Sequence, residues 1–228
     1  MTAAHTIKSS TVTLRAADGH ELDGYLCEPE GAPIGGLVVV QEIFGVNAHI
    51  REVAEGYARD GFRVIAPAMF DRVQRGVALG YDAESMAKGM ELIKPLQPEG
   101  YLLDAGAAVA ALAPLPTGIV GYCFGGSVAW RAADTLPVRA AVSYYGSNAV
   151  NLLELRPKCP VMAHFAEQDV FIPLEKVQVF RERHPEVEVF TYDADHGFNC
   201  DHRRQYHEPS AKLARERSLA FLKRHLTA

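Results

Sequence analysis

The sequence lacks any long hydrophobic run, which limits where the chain can act. None of its apolar stretches approaches the roughly 20 residues that a membrane-spanning helix requires. Residues 1–10 carry a single lysine and no apolar core of the length found in signal peptides. We therefore expect a soluble, cytoplasmic protein that makes no membrane contact.

Cysteine pairs and basic clusters are also missing. The four cysteines are widely scattered and form no CxxC pair, a pattern typical of free thiols rather than of a disulfide framework. They are Cys27, Cys123, Cys159 and Cys200. The chain has no run of lysine and arginine, and its formal net charge is −5, so we expect no nucleic-acid partner.

Apolar residues, by contrast, are plentiful and are arranged in alternating strand-like and helix-like segments. With 48% hydrophobic residues in a chain of 228, one substantial core can form, and we predict a single domain over residues 1–228. Strands are predicted at 36–41, 62–66, 117–121, 138–144, 161–165 and 187–192, and helices at 48–59, 83–92, 101–112, 127–136, 174–183 and 210–225. The alternation predicts an α/β fold, with a mostly parallel sheet and helices on both of its faces.

The beginning of the chain departs from this rhythm. Residues 11–15 and 21–27 resemble strands and flank an Ala-Ala-Asp-Gly turn. Such a pattern favours an antiparallel hairpin. We therefore predict an antiparallel N-terminal hairpin at one edge of the sheet.

A glycine-flanked cysteine lies between a predicted strand and a predicted helix. Gly121 and Gly125 stand two residues before and after Cys123, which is the G-x-nucleophile-x-G elbow with cysteine as the nucleophile. The flanking residues must be small because the elbow is a sharp, strained turn. The following helix N-terminus would favour a thiolate. The alternative is a small buried residue beside a glycine-rich turn.

An elbow nucleophile of this type is followed along the chain by an acid and then a histidine, each in a loop after a later strand. Asp169 and His196 occupy such positions. The histidine would carry the proton exchanged with the leaving group, and the acid would fix its tautomer. Glu167 is a competing acid, although Asp169 lies deeper in the loop, and His164 is the main competing histidine.

The loop after the first buried strand is where this fold supplies a backbone donor to an oxyanion. Ile43 lies in this loop, and the second donor would be the N–H group of Phe124, directly after the nucleophile. Glu42 precedes Ile43. It is either a solvated loop residue or a partner of the thiol, and the residues themselves leave that choice open.

Four segments together resemble the dienelactone hydrolase family, also called carboxymethylenebutenolidases. They are QEIFGVN at 41–47, GYCFGG at 121–126, YYG at 144–146 and DHGF at 195–198. The similarity runs from about Val12 to Leu226. It implies an α/β-hydrolase with a Cys-His-Asp triad, Tyr145 in the substrate site, no metal or organic cofactor, and hydrolysis of an enol-lactone to an open dicarboxylate.

The resemblance also implies roles for individual residues. Glu42 would contact the resting thiol, and Arg72 would be the first of two arginines that hold a substrate carboxylate. The second arginine position is Cys200 in this sequence, which cannot bind a carboxylate as arginine does. Arg203 or Arg204 could replace it, or both could form a solvated surface.

Two further interpretations follow from the same residues. A non-enzymatic thiol sensor or ligand-binding protein could use a hydrolase scaffold, because a fold does not determine a function. Cys200, His202 and His207 could in principle bind a metal, but their spacing is irregular for such a site and we predict none. We expect a small ester or lactone as substrate, and a monomer or small homo-oligomer.

Overall fold

The computed structural model describes residues 7–227, so both ends of the predicted domain lie outside the described part. Within it, the strands are β1 (Lys8–Arg15), β2 (Glu21–Glu28), β3 (Gly35–Val40), β4 (Phe62–Pro67), β5 (Thr117–Tyr122), β6 (Ala141–Tyr144), β7 (Val161–Ala166) and β8 (Glu188–Tyr192). The helices are α1 (Ala48–Arg59), α2 (Ala83–Ile93), α3 (Pro98–Ala111), α4 (Phe124–Thr135), α5 (Leu174–Arg183) and α6 (Glu208–Leu226), with short 3-10 helices at Met69–Arg72 and Ala149–Asn151.

All of these strands belong to one sheet, in the order β1-β2-β4-β3-β5-β6-β7-β8. β2 pairs antiparallel with both β1 and β4, and every other pair is parallel. The predicted parallel sheet with an antiparallel hairpin at one edge is confirmed. Because β3 and β5 to β8 are parallel, their carboxyl ends, and the loops that follow, lie along the same edge of the sheet.

Helices cover both faces of the sheet, as two neighbouring glycines of β3 show. Side chains of successive strand residues point to opposite faces. A Cβ atom on Gly35 would lie 3.1 Å from Leu226 of α6, and one on Gly36 would lie 3.0 Å from Leu112, which directly follows α3. The ends of α6 and α3 therefore pack on opposite faces, and the glycines allow them to approach closely.

The central strands are buried along their whole length. Every residue of β3, β5 and β7 is buried, which is typical of parallel strands that are covered on both faces. None of the helices within residues 7–227 has the combination of length and apolar character that crossing a membrane requires.

The start of α4 differs from the sequence prediction. The helix begins at Phe124, three residues before the predicted start. The prediction placed the GG pair outside the helix because glycines are poor helix formers. Close approach explains the glycines instead. A Cβ atom on Gly125 would lie 2.3 Å from the Val40 carbonyl oxygen, and one on Gly126 would lie 2.6 Å from the Tyr144 carbonyl oxygen. The two glycines thus allow α4 to begin directly against the ends of β3 and β6.

Candidate active site

Cys123 lies in a strained turn between β5 and α4. Its backbone has φ 55° and ψ −113°, a conformation that residues other than glycine seldom adopt. Its N–H group donates to the Tyr144 carbonyl oxygen at 3.0 Å. A Cβ atom on Gly121 would lie only 1.8 Å from the Gly125 carbonyl oxygen, so the turn requires glycine at position 121. The turn holds the sulfur above the carboxyl ends of the strands.

Asp169 and His196 lie in the loops after β7 and β8 and contact each other. His196 Nδ1 is 2.6 Å from Asp169 Oδ2, and both side chains are buried. The second carboxylate oxygen of Asp169 accepts the N–H of Phe171 at 2.8 Å, which fixes the plane of the carboxylate. His196 Nε2 is therefore the nitrogen that is available to the Cys123 sulfur.

The electrostatics of this group favour a charged imidazole. Burial lowers the pKa of His196, but the charge of Cys123 and hydrogen bonds to Asp169 and Cys123 outweigh burial and raise the pKa to about 10. A nearby negative charge stabilises the protonated form of histidine, and the imidazolium in turn stabilises a thiolate. The arrangement therefore favours a protonated His196 in the pocket that Cys123 also lines.

The competing histidine and acid, His164 and Glu167, do not contact the pair of His196 and Asp169. His164 is buried in β7, where Nδ1 lies 2.8 Å from the Tyr192 hydroxyl and Nε2 lies 2.9 Å from Ser218 Oγ. Burial lowers its pKa to about 3, so the imidazole is neutral. Glu167 is exposed. His164 acts as a link between β7, β8 and α6.

A pocket of about 380 Å³ opens above Cys123. Its walls are mainly apolar, and most of them come from the α2 and α3 region and from α4. The apolar side chains include Met86, Met90, Ile93, Tyr101, Phe124 and Phe171. Two arginines, Arg131 and Arg203, also line it. An apolar pocket with a few polar groups around a nucleophile is typical of a small-molecule site.

Two backbone N–H groups beside the sulfur have no acceptor among residues 7–227. They belong to Ile43 and Phe124, which both line the pocket. Phe124 is the first residue of α4, where the N–H group has no partner within the helix. The Ile43 loop is held by α2, since a Cβ atom on Gly89 would lie 2.2 Å from the Ile43 carbonyl oxygen. These amides can therefore donate to a ligand oxygen.

Glu42 is completely buried and does not hydrogen-bond to the thiol. Its Oε1 accepts from Arg203 Nη1 at 3.2 Å, and its Oε2 accepts from the Tyr81 hydroxyl at 3.1 Å. The resemblance implies a contact between Glu42 and Cys123, and no hydrogen bond joins these two side chains. Arg203 and Tyr81 hold the carboxylate instead.

Tyr145 lies behind His196 rather than in the pocket wall. Its backbone has φ 37°, and its ring centroid is 5.1 Å from that of His196. The residue is buried and does not line the pocket. Tyr145 supports the histidine ring.

Arg72, the predicted anchor of a substrate carboxylate, is bound by two aspartates in the structure. Its Nε and Nη2 donate to the two oxygens of Asp104 at 2.7 and 2.8 Å, and Nη1 donates to Asp18 at 2.8 Å. Arg72 does not line the pocket. The pocket arginine from the C-terminal part is Arg203, whose side chain is 7% exposed, whereas Arg204 is exposed and lies outside.

Possible metal donors are grouped differently from the sequence expectation. His207 lies apart and its Nδ1 contacts Ser210 Oγ at 2.7 Å. Donor atoms of Glu42, His49 and Cys200 lie within 4.8 Å of one another. The Glu42 carboxylate already binds the Arg203 guanidinium, and that positive charge disfavours a cation at this position.

Comparison with known proteins places these features in a family. The dienelactone hydrolase family model matches residues 22–226. The chain belongs to the dienelactone hydrolase family. The match confirms the resemblance noted in the sequence, and it makes the chain an ester or lactone hydrolase.

Individual relatives agree with this assignment. A carboxymethylenebutenolidase of Pseudomonas putida is 32% identical over 223 residues, which cover 92% of this chain and 94% of that protein. A solved structure from Klebsiella pneumoniae subsp. pneumoniae, named as a candidate dienelactone hydrolase, has a TM-score of 0.83 and 28% identity and covers 94% of this chain and 98% of its own. The fold is shared with a dienelactone hydrolase-like promiscuous phosphotriesterase from metagenomic libraries. Its structure has a TM-score of 0.76 and 21% identity, and the match covers 99% of this chain and 100% of that one.

Sequence reasoning missed several pocket residues. Met86, Met90 and Ile93 of α2 line the pocket, and their spacing of four and three residues is the signal of one helix face. Arg131, which lines the pocket, and Tyr81, which binds Glu42 outside the pocket lining, were also missed. Neither lies in a recognisable motif, and only the packing of distant segments brings them to the site.

Proposed function

We propose that the protein is a cysteine-dependent hydrolase that opens small lactones or esters through Cys123, His196 and Asp169. The observation that carries this proposal is the hydrogen-bonded pair of Asp169 and His196, with His196 and Cys123 lining the same apolar pocket. A nucleophile, a proton carrier and an orienting acid in this order are what acyl transfer requires.

In the first step the Cys123 thiolate attacks the acyl carbon of the substrate. The carbonyl oxygen becomes an oxyanion, which the N–H groups of Ile43 and Phe124 stabilise, because they have no other acceptor among residues 7–227. The acyl carbon–oxygen bond then breaks, and His196 protonates the departing oxygen. The product is a thioester on Cys123.

In the second step His196 accepts a proton from water, the water oxygen attacks the thioester, and Cys123 leaves as a thiolate. A lactone differs from a simple ester because its leaving group stays attached to the acyl chain as an enol or enolate. That group remains in the pocket during the second step. The enclosed volume of about 380 Å³ suits a small substrate of this kind.

The favoured substrates are dienelactone-type compounds that carry a carboxylate. Support comes from the 32% identity to the carboxymethylenebutenolidase of Pseudomonas putida and from Arg203 in the pocket. A substrate carboxylate would compete with Glu42 for this guanidinium, which lies 3.2 Å from Glu42 Oε1. Arg203 would thus replace the second arginine of the family, whose position is Cys200 in this sequence.

The test is hydrolysis of p-nitrophenyl acetate and of a dienelactone by matched variants. Cys123→Ala and His196→Ala should each lower kcat by on the order of a thousandfold or more, the scale found for members of a catalytic triad. Cys159→Ala, which changes a cysteine outside the pocket, is the control and should keep full activity. Activity that survives Cys123→Ala would refute the proposed nucleophile.

A further inference from the structure

Arg131 is a cation in the pocket for which residues 7–227 provide no partner. It lies in α4 and lines the same pocket as Cys123. Its side chain forms no hydrogen bond or ion pair with any of residues 7–227, and its Nε atom is buried without an acceptor. A buried donor without an acceptor costs free energy, so a ligand that supplies an acceptor would be favoured here.

The second pocket arginine is in a different situation. Arg203 is neutralised by Glu42, whose Oε1 lies 3.2 Å from Nη1. Among the described residues, no aspartate or glutamate lines the pocket. The charge of Arg131 is therefore uncompensated in a largely apolar space, where electrostatic attraction is screened less than in water.

The geometry of α4 sets the distance between this charge and the reacting sulfur. Arg131 is eight residues after Cys123, the residue that caps the helix, which corresponds to about 12 Å along the axis. Phe124, Ser127 and Arg131 are spaced by three and four residues and share one helix face, and all three line the pocket. The pocket therefore extends along this face from the sulfur toward the guanidinium.

The surroundings of Arg131 also contain neutral donors. Ser127 and Asn148 line the pocket beside α4. Tyr101 also lines the pocket; burial raises the pKa of its hydroxyl, and the charge of Arg131 opposes that rise. The Tyr101 hydroxyl remains protonated and can donate a hydrogen bond.

We propose that Arg131 binds a terminal carboxylate of the substrate, at the end of the pocket away from Cys123. The favoured substrates are then esters or lactones whose apolar acyl chain separates the reacting carbonyl from a distal carboxylate. A guanidinium suits this group because it can form two parallel hydrogen bonds to it. The proposal rests on the proposed hydrolase function and adds a substrate class to it.

The experiment measures kcat/KM for p-nitrophenyl hemiesters of straight-chain dicarboxylic acids of increasing length. Each hemiester is compared with the neutral ester of the same length in which the distal carboxylate is methylated. In the wild type the anionic ester should be favoured at one chain length. Arg131→Met should lower the anionic-to-neutral ratio at that length by roughly ten- to a hundredfold, and Arg131→Lys should keep part of it.

The matched control is Arg139→Met, which removes the same charge from an exposed position outside this pocket. It should leave the ratio unchanged. A ratio that is the same in wild type and Arg131→Met, or that falls equally in Arg139→Met, overturns the proposal. Hydrolysis of the neutral ester by wild type and Cys123→Ala reports separately on the proposed hydrolase function, so the two failures are distinguishable.

Inhibition by the free dicarboxylic acids provides a readout that does not depend on turnover of an anionic ester. The acid of the favoured length should inhibit neutral-ester hydrolysis by the wild type at least about tenfold more strongly than by Arg131→Met. Equal inhibition of both proteins contradicts the assignment.

Discussion

At the scale of single residues, His164 and His196 show how environment separates two histidines that look alike in the sequence. His164 lies inside a strand-like segment, and His196 follows one. His196 gains the charge of Cys123, which raises its pKa to about 10, whereas burial lowers the pKa of His164 to about 3. The first is suited to proton transfer and the second to a neutral structural role.

The depressed pKa of His164 predicts a loss of stability in acid. Its pKa is about 3 in the folded protein against an ordinary value of 6.5, so the unfolded chain binds a proton that the folded one does not. The free energy of unfolding should therefore fall as the pH drops from 6.5 towards 3, by up to about 1.4 kcal/mol per pH unit from this group. Denaturant unfolding of wild type and His164→Gln measures it.

The His164→Gln variant should be less stable than the wild type at pH 7, and the difference should shrink as the pH is lowered. The kcat at pH 7 should change by only a few-fold, because His164 lies outside the pocket. An identical pH dependence of stability in the two proteins would contradict this assignment.

Arg72 gives a second prediction at this scale. Asp104 is completely buried and binds Arg72 with two hydrogen bonds. Arg72→Ala would leave that carboxylate without its partner, so the free energy of unfolding should fall by roughly 3 kcal/mol. Chemical denaturation measures the loss. The ratio of kcat/KM for a carboxylated lactone and a neutral ester should stay as in the wild type, and a selective loss of the carboxylated substrate would restore Arg72 as an anchor.

The partners of Arg72 explain why the sequence misled at that position. A motif match indicated an arginine near the site, but Asp104 and Asp18 are 32 and 54 residues away along the chain. Nothing in the local sequence shows that they converge on the guanidinium. Cys123, His196 and Asp169 could be predicted as candidates because their order and loop positions follow from the fold itself.

At the scale of elements, the contact between α2 and the Ile43 loop is the one on which the site depends most. Gly89 lies where the helix meets the Ile43 carbonyl oxygen, and a Cβ atom there would lie 2.2 Å from it. Gly89→Ala should move α2 or the loop and misplace the Ile43 N–H group. Loss of one oxyanion donor typically lowers kcat by about a hundredfold or more, and steady-state kinetics measure it.

Gly56→Ala is the matched control for this prediction. Gly56 lies in α1 with no atom within 4 Å of the added Cβ, so the substitution should raise stability by about 0.5–1 kcal/mol and leave kcat unchanged. If Gly89→Ala is as active as Gly56→Ala, the support of the loop by α2 is not required for catalysis.

Helix boundaries were predictable where local signals agreed with packing. α1 (Ala48–Arg59) and α5 (Leu174–Arg183) match the predicted ranges. α1 has Asn47 as its cap, which accepts the Ile50 N–H group. The start of α4 was missed because its glycines serve close packing against β3 and β6, and single-residue propensity does not include that requirement.

At the scale of the whole molecule, the sheet order places the loops after β3, β5, β7 and β8 at one edge. Ile43, Cys123, Asp169 and His196 each lie in a different one of these loops. Alternating segments and motif order were enough to predict this architecture. The walls of the pocket were not predictable in the same way, since they depend on how α2, α3 and α4 pack.

The central claim is that the Cys123 sulfur carries the acyl group during turnover. The most direct measurement is rapid acid quenching during p-nitrophenyl acetate hydrolysis, followed by digestion and mass spectrometry of all four cysteine-containing regions. We predict an acetyl thioester on Cys123. The thioester should not form in enzyme that was first treated with iodoacetamide, because this reagent should modify Cys123 ahead of the other cysteines. Acetylation of Cys27, Cys159 or Cys200 in an active enzyme, with Cys123 unmodified, would contradict the account.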